Sequence, residues 1–484
     1  MDLEHPPLYN EVIKKNDTHQ VIQQAREAFQ LWSAYNYDER KQFLKKLRTE
    51  ITNRIEDIAA VIHQENGKTY EEGLLEVFSV LHHTTYVIKR LKKVLKPKKM
   101  SSGFMINYKA EIQYQPMGVI LVLAPWNMPF YTPFNQIIEA IAAGNSIVLK
   151  SSEVTPGVAD IIKEITEKVF PAKNMVQVVH GGKEIGINLV QSNVNKIVLT
   201  GRYQTGQSVM RNASENLTPL LLELGGKDPM IVLSDADLDI AAQKAAWGAF
   251  SLAGQACISV ERCYVMEDVF ETFLNKVVDE TKYLKVEKDI PKIAQTQQVD
   301  IIVNQVQDAL SKGARLVFGA LENITGNKVP PMIMVDVTED MLLMKEETFG
   351  PVLAIIPIKN AAQAVEKANN HDYALGASVF GKKEVSNITK NLRAGMVSIN
   401  SMWVYTAIPA LPFGGFGKSG FGQIHGDQGI LEFCHPKSVV KEKYKPFLDL
   451  TRFRVKEVIS SQKIISILRF FYGKGRLMDV FKKE

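Results

Sequence analysis

A cysteine in the stretch Gly254-Gln255-Ala256-Cys257 and a glutamate opening Glu223-Leu224-Gly225-Gly226-Lys227 are the residues of this chain best suited to covalent chemistry. A thiolate attacks electrophilic carbon, and a carboxylate can take a proton from an attacking water. Glycines beside each would let a substrate approach the backbone. A single cysteine more often ends as a buried structural residue, and a single glutamate as a cap or a solvated charge. The glycines and the pairing of the two motifs favour chemistry here. With Cys263 and Cys434 the chain has three cysteines, an odd and sparse set that makes no disulfide framework and implies a reducing, cytoplasmic setting. Cys257 and Cys263 lack metal-ligand spacing and no histidine accompanies them, so no metal is expected. The absence of a histidine motif beside Cys257 also disfavours a thiol hydrolase. His180 reads as a strand-end residue.

The elements that would hold these residues follow from apolar spacing. Residues 10–98 read as helices, with Val21, Ala25, Phe29 and Trp32, then Leu44, Leu47, Ile51, Ile55, Ile58 and Ile62, at helical intervals. Short apolar strands then alternate with helices. Strands are expected at 117–124, 146–149, 175–179, 197–200 and 219–224, and helices at 134–143 and 156–169, the latter with proline in its first turn. Such alternation implies a parallel sheet covered by helices. Asp235 and Asp237 offer caps for a helix over 238–252, and strand–helix alternation from 261 to 408 implies a second α/β domain. The run Pro412-Phe413-Gly414-Gly415-Phe416-Gly417-Lys418-Ser419-Gly420 is a loop that must run close to something.

At 484 residues, 45% hydrophobic and 23% charged, the chain has the composition of a soluble protein of two or three domains. The start has neither a basic segment nor an apolar core of a secretory signal. The longest apolar run, 117–133, is broken by Pro125, Asn127 and Pro129 and is no membrane span. The net charge of +5 is uneven: residues 441–484 carry 12 Lys and Arg against 5 Asp and Glu, leaving −2 for the rest. A nucleic-acid-binding face is therefore not expected on the main body. Within the tail, Val455, Val458, Ile459, Ile465, Leu468 and Tyr472 fall on one helical face, interleaved with Arg454, Lys456, Lys463 and Arg469. That pattern reads either as a basic amphipathic helix at an anionic membrane surface, across 452–484, or as a terminal helix docked on the body.

Seven motifs now stand in one order: Pro125-Trp126-Asn127, Lys150-Ser151-Ser152-Glu153, Gly201 to Gly206, Glu223-Leu224-Gly225-Gly226-Lys227, Gly254-Gln255-Ala256-Cys257, Glu347-Thr348-Phe349-Gly350-Pro351 and Pro412-Phe413-Gly414-Gly415. In this order and spacing they resemble the NAD(P)-dependent aldehyde dehydrogenase superfamily over roughly residues 15 to 440. The resemblance implies an α/β fold with a Rossmann-type cofactor domain (1–96 and 117–223), a catalytic domain (224–419), an oligomerisation arm (97–116 with 430–443) and, outside it, the basic tail 444–484. It implies a homodimer or homotetramer. It makes Cys257 the nucleophile, Glu223 the general base that activates water, and Asn127 a donor to the oxyanion. It places Pro125, Trp126, Lys150, Glu153, Gly182, Gly201, Gly206, Glu347 and Phe349 around the cofactor, with Lys150 and Glu153 on the adenosine ribose. A carboxylate at Glu153 favours NAD over NADP by repelling a 2′-phosphate.

Three positions depart from the family pattern. Arg202 replaces a small hydroxyl residue, Leu252 an asparagine, and Ser151 a proline. Arg202 could pair with the pyrophosphate or turn to solvent. Around the expected mouth, Phe130, Tyr131, Phe250, Met402, Trp403, Val404 and Tyr405 are apolar or aromatic, which favours aromatic, long-chain or carotenoid-type aldehydes over semialdehydes. A weaker likeness to diapolycopenedial dehydrogenases points the same way. The alternatives are a CoA-acylating dehydrogenase, which Glu223 argues against, and a non-catalytic cofactor-binding scaffold.

Overall fold

A computed structural model describes residues 15–445, 453 and 459–473. Two compact units result, one formed by residues 1–95 with 115–435 and the other by 96–114 with 436–484. Both sheets expected from the sequence lie in the first unit.

That unit opens with helices Lys15–Ser33, Tyr37–Asn53, Ile55–Asn66 and Tyr70–Leu95. Leu44, Leu47, Ile51, Ile58 and Ile62 are fully buried as their spacing requires. In the first helix the buried stripe is instead Ile22, Ala25, Ala28 and Trp32, and Val21 and Phe29 are only half-buried beside it. The Trp32 ring decides the register, because its Nε1–H donates to the Ile141 carbonyl at 2.9 Å.

The six-stranded sheet has the order 420–421, 220–223, 196–200, 119–123, 146–150, 176–179, parallel except for the short 420–421 edge. Strands Val119–Leu123 and Ser146–Lys150 are buried along their whole length, as strands covered on both faces must be. Chain order reverses on either side of Val119–Leu123, the arrangement that opens a crevice at the carboxyl ends of the strands. The seven-stranded sheet runs 315–318, 332–335, 352–358, 260–266, 228–232, 376–380, 396–399, parallel beyond its first strand. The helix expected over 238–252 spans Leu238–Phe250, with Asp237 accepting from the Ile240 N–H at 3.2 Å. It stops there because Leu252 and Ala253 take left-handed backbone angles.

In the second unit, strands Lys98–Met100, Tyr108–Pro116 and Cys434–Glu442 make a three-stranded sheet. Residues 430–432, placed in the arm by the sequence reading, belong instead to the helix Gly426–Glu432 of the first unit. The tail helix is Ser461–Tyr472, capped by Ser460, whose Oγ accepts from the Lys463 N–H at 3.3 Å. Val455, Val458, Arg454 and Lys456 lie outside the described residues. Ile459 is buried ahead of the helix rather than on an exposed stripe. No helix among the described residues is long and apolar enough to cross a membrane.

Candidate active site

The carboxyl ends of the first sheet and the loops of the second converge on one cavity of about 740 Å³. Cys257, Glu223, Asn127, Pro125, Trp126, Lys150, Glu153, Gly182, Gly201, Glu347 and Phe349 all line it, although they span more than two hundred residues of chain.

Cys257 follows a strained turn. Leu252 and Ala253 have φ of 54° and 53°, and Gly254 follows at 71°; strain of this kind persists only where surrounding structure enforces it. Glu72 of the helix Tyr70–Leu95 supplies part of that enforcement, its Oε1 accepting the Leu252 N–H at 3.0 Å. Gly254 admits no side chain, since a Cβ would overlap the Gly350 carbonyl. Burial pushes the Cys257 thiol well above its ordinary value, and the carboxylates of Glu347, Glu223 and Asp228 push it the same way. The thiol therefore keeps its proton until a base removes it.

Glu223 ends the strand Leu220–Glu223, held between Thr200 on one side and Gly420 on the other. It is 3% exposed and its Oε1 has no hydrogen-bond partner within the protein. Burial raises its proton affinity well above that of an ordinary glutamate, reinforced by Glu139 and Glu432. A desolvated carboxylate with an unused oxygen is suited to take a proton from a thiol or a water. The loop Pro412–Gly415 passes against it: a Cβ on Gly414 would lie 3.3 Å from Glu223 Oε1.

Asn127 is buried, and its Nδ2 donates to the Gln255 carbonyl at 2.9 Å. The amide carries two N–H groups, so one remains for the cavity beside the Cys257 loop. The loop carrying Asn127 is tied down by Asn66, whose Nδ2 donates to the Trp126 carbonyl.

Glu347 and Phe349 depend on a buried network that the sequence motifs gave no sign of. Lys227 pairs with Glu261 and donates to Thr348 Oγ1 at 3.0 Å. Glu261 Oε1 accepts the N–H of Thr348 at 3.0 Å and of Phe349 at 3.1 Å. Phe349, at φ 49°, is thereby fixed edge-on to Trp126, with ring centres 5.6 Å apart. Glu347 Oε1 accepts the Gly226 N–H at 3.2 Å, and burial, then Glu261, raises its carboxyl to about 8.

On the other flank, Lys150 and Glu153 form an ion pair of 3.1 Å just beyond the strand Ser146–Lys150. Gly182 caps the helix Lys183–Gln191, and Gly201 precedes the helix Tyr203–Ala213, whose first turn also lines the cavity. Helix N-terminal N–H groups suit a phosphate. Gly206 does not reach the cavity. It lies inside that helix, where a Cβ would meet Leu224 Cδ1 at 2.8 Å, so its role is close packing. Arg202 is exposed but does not stand free: its Nη2 donates to Gln298 Oε1, and Gln298 in turn donates to the Thr348 carbonyl at 2.6 Å.

Of the seven apolar residues expected at the mouth, Tyr131 and Trp403 line the cavity. Phe130 stacks on Phe134 with ring centres 4.9 Å apart, Phe250 and Met402 are core residues, and Tyr405 is buried beside Asp228 and Gly376. Val404 is exposed. Met128, Ile258, Thr406, Phe413 and Ile424 take the expected places instead. Periodicity could not separate Met128, Ile258, Phe413 and Ile424 from core residues, because both are apolar.

The profile described as the aldehyde dehydrogenase family matches residues 10–439. A Methylomonas protein named 4,4′-diapolycopene aldehyde oxidase is 35% identical over 428 residues, covering 87% of this chain and 80% of its own. A Mycobacterium tuberculosis protein provisionally named a succinate-semialdehyde dehydrogenase of the NADP(+) type is 30% identical over 434 residues, covering 87% and 84%. The structure of Staphylococcus aureus betaine aldehyde dehydrogenase with NAD+ superposes with a TM-score of 0.84 at 26% identity, covering 90% of this chain and 89% of that one. This chain belongs to the aldehyde dehydrogenase family, and it is an oxidoreductase that oxidises aldehydes.

Proposed function

We propose that this enzyme oxidises an apolar aldehyde to its carboxylic acid, with NAD rather than NADP. The observation that carries the mechanism is the convergence of Cys257, Glu223 and Asn127 on one cavity whose far flank offers a helix N-terminus, Lys150, Glu153 and Glu347. That flank fits a dinucleotide: N–H groups for phosphates, carboxylates for ribose hydroxyls, and Phe349 held rigidly beside Trp126. Bound there, the nicotinamide would serve as hydride acceptor.

The chain's own residues then divide the work. Cys257 loses its proton to Glu223 and its sulfur bonds the aldehyde carbon, giving a thiohemiacetal oxyanion. Asn127 Nδ2–H and the Cys257 backbone N–H stabilise that charge. Loss of hydride leaves a thioester on Cys257. Once Glu223 has released the thiol's proton to cavity water, it takes a proton from a second water, whose oxygen attacks the thioester carbon, and the acid departs as that proton passes from Glu223 to the sulfur. The same base serves both halves because its desolvated carboxylate binds a proton readily and faces open cavity.

The apolar substrate class rests on Met128, Tyr131, Ile258, Trp403, Phe413 and Ile424 around the thiol. Glu153, exposed beside Lys150, would repel a 2′-phosphate, which supports NAD. The assay is NADH or NADPH formation with short, aromatic, long-chain and carboxylate-bearing aldehydes, with Cys257→Ala as control. Turnover confined to semialdehydes, or equal with NADP, would remove the corresponding part of the proposal. Rapid acyl transfer to CoA in place of hydrolysis would favour the acylating alternative, and bound NAD without turnover of any aldehyde would favour the scaffold.

Two further elements belong to this reading. The three-stranded sheet would join protomers as a homodimer or homotetramer, which sedimentation velocity tests. In the second unit, Ile465, Leu468, Phe471 and Tyr472 are exposed on the tail helix, and Phe104 packs on Phe471 with ring centres 4.5 Å apart. With Lys463 and Arg469 among them and a tail of net +7, this surface would rest on anionic membrane and collect apolar aldehydes there. Equal co-sedimentation of the full chain and of residues 1–443 with anionic liposomes would refute it.

A further inference from the structure

Behind the cavity lies a buried polar cluster that the chemistry above does not use. The helix Tyr131–Ala143 buries Asn135, Gln136 and Glu139 completely, an unusual cargo for an interior helix. Glu139 Oε1 accepts the His425 N–H at 2.7 Å and lies 3.2 Å from His83 Nε2. The His83 and His425 rings stand 4.6 Å apart. Asn135 Nδ2 is 3.2 Å from His425 Nε2, and the Tyr131 hydroxyl 3.4 Å from the same nitrogen. Because Asn135 Nδ2, the atom facing the ring, can only donate, His425 Nε2 accepts and its proton sits on Nδ1. His425 Nδ1, both His83 nitrogens and Glu139 Oε2 are buried without a formed hydrogen bond. Four unsatisfied atoms in one place are costly to keep unless they serve something.

Their surroundings say what. Tyr131 lines the catalytic cavity with Glu223. It also lines a second, small cavity with Ser79, His82, His83 and His425. That cavity has about 10 Å³ for a water centre, room for one water among polar groups. His82, on its far side, is exposed. The groups facing the cluster are Tyr86, whose ring is 6.5 Å from that of His83, and Glu432, which acts on Glu139. Burial holds Glu139 protonated up to about 8 and keeps both histidines neutral down to about 3. The resting cluster is thus uncharged, with one proton on Glu139.

We propose that Tyr131, His425 and His83 conduct to the surface at His82 the proton that Glu223 takes from the Cys257 thiol in each turnover and must shed before it can activate water. This rests on the assignment of Glu223 as base. Glu223 gives up its proton through cavity water to the Tyr131 oxygen as the Tyr131 hydroxyl proton passes to His425 Nε2. His425 releases its Nδ1 proton through the enclosed water to His83 or His82, and from there to solvent. Each bond made to hydrogen is matched by one broken, no oxidation state changes, and one proton leaves per acid formed; His425, left with its proton on Nε2, returns it to Nδ1 before the next turnover. These are positioning and relay residues, acting through Glu223.

The test compares wild type, Tyr131→Phe and His425→Ala, using rapid-mixing NADH formation followed by steady-state turnover. Tyr131→Phe keeps the ring and removes only the hydroxyl. Its turnover should fall by at least about tenfold, with KM falling alongside so that kcat/KM is kept, and a rapid burst of one NADH per active site retained, since hydride loss precedes proton export. Added imidazole should restore His425→Ala by several-fold, an effect that repacking alone would not produce. Turnover of Tyr131→Phe within twofold of wild type would overturn the proposal. So would a decrease in which the burst slows equally and imidazole has no effect. A wild type that makes no NADH would instead sink the dehydrogenase reading, which keeps the two failures distinct.

Discussion

Gly226→Ala should cripple catalysis while leaving the fold largely intact. The Gly226 backbone passes directly under the nucleophile loop. A Cβ there would lie 2.7 Å from Asp228 Oδ1 and closer still to the Cys257 carbonyl oxygen. Ordinary carbon–oxygen contacts begin near 3.3 Å, so the carbonyl must retreat by on the order of 1 Å. Asp228 cannot give way freely, being 3% exposed and packed against Gly376 and Tyr405. The Cys257 carbonyl oxygen is the nearer of the two atoms and so has the farther to move. The displacement therefore falls on the nucleophile. A misplacement of about 1 Å at a reacting atom costs roughly 10²-fold in rate, or about 2.7 kcal/mol of transition-state stabilisation. Stability should suffer less, by about 1–3 kcal/mol, the usual cost of overpacking. Measured kcat/KM for an aldehyde, with melting temperature alongside, decides the matter. A variant within threefold of wild type in kcat/KM would show that the glycine pair does not position the thiol.

Glu261→Gln leaves Lys227 as a buried uncompensated charge and should destabilise by about 3–5 kcal/mol; the Lys227→Met/Glu261→Gln double variant should recover part of that in denaturant melts while KM for NAD stays raised, because Thr348 and Phe349 have lost their charged acceptor. Gly186→Ala should stabilise by about 0.5–1 kcal/mol, since Gly186 is helical and a Cβ there meets nothing within 4 Å, and a concurrent loss of NAD affinity by calorimetry would show that this cavity-lining position touches cofactor. Glu139, at about 8 in the fold against an ordinary 4.5, binds a proton in the native state that the unfolded chain releases. Its contribution to stability is therefore complete below about pH 4.5 and lost as pH rises through 8, so Glu139→Gln should flatten the melting temperature across that window, and an unchanged slope would refute the shift.

What the sequence made legible was the chemistry carried by motifs and the alternation of elements. Cys257 and Asn127 stand on turns where glycine, proline and asparagine have few alternative uses, Glu223 ends a strand just before a glycine pair, and the strands that aim them are apolar on both faces. Lys227 and Glu261 were not legible, although the first lies inside a recognised motif. Nothing in a linear pattern says that a lysine will be buried against a glutamate 34 residues away. The strand Val260–Met266 even hides its charges, since Glu261 and Arg262 interrupt what would otherwise be a plain buried strand, yet both are 2% exposed or less.

The histidine cluster shows the same limit more sharply. His83 sits in the helix Tyr70–Leu95 at a position that fits either face, and Glu139 interrupts an apolar helix like any surface glutamate. Only the packing of that helix, the helix Tyr131–Ala143 and the turn before Gly426 brings His83, Glu139 and His425 together. Gly429 is part of the arrangement, since a Cβ there would meet the Glu139 carboxyl group. Gly429→Ala should accordingly slow turnover with KM falling alongside, in step with Tyr131→Phe, if the cluster carries protons. A glycine far from the thiol that limits deacylation without touching substrate would place the relay, and not the nucleophile loop, in control of that step.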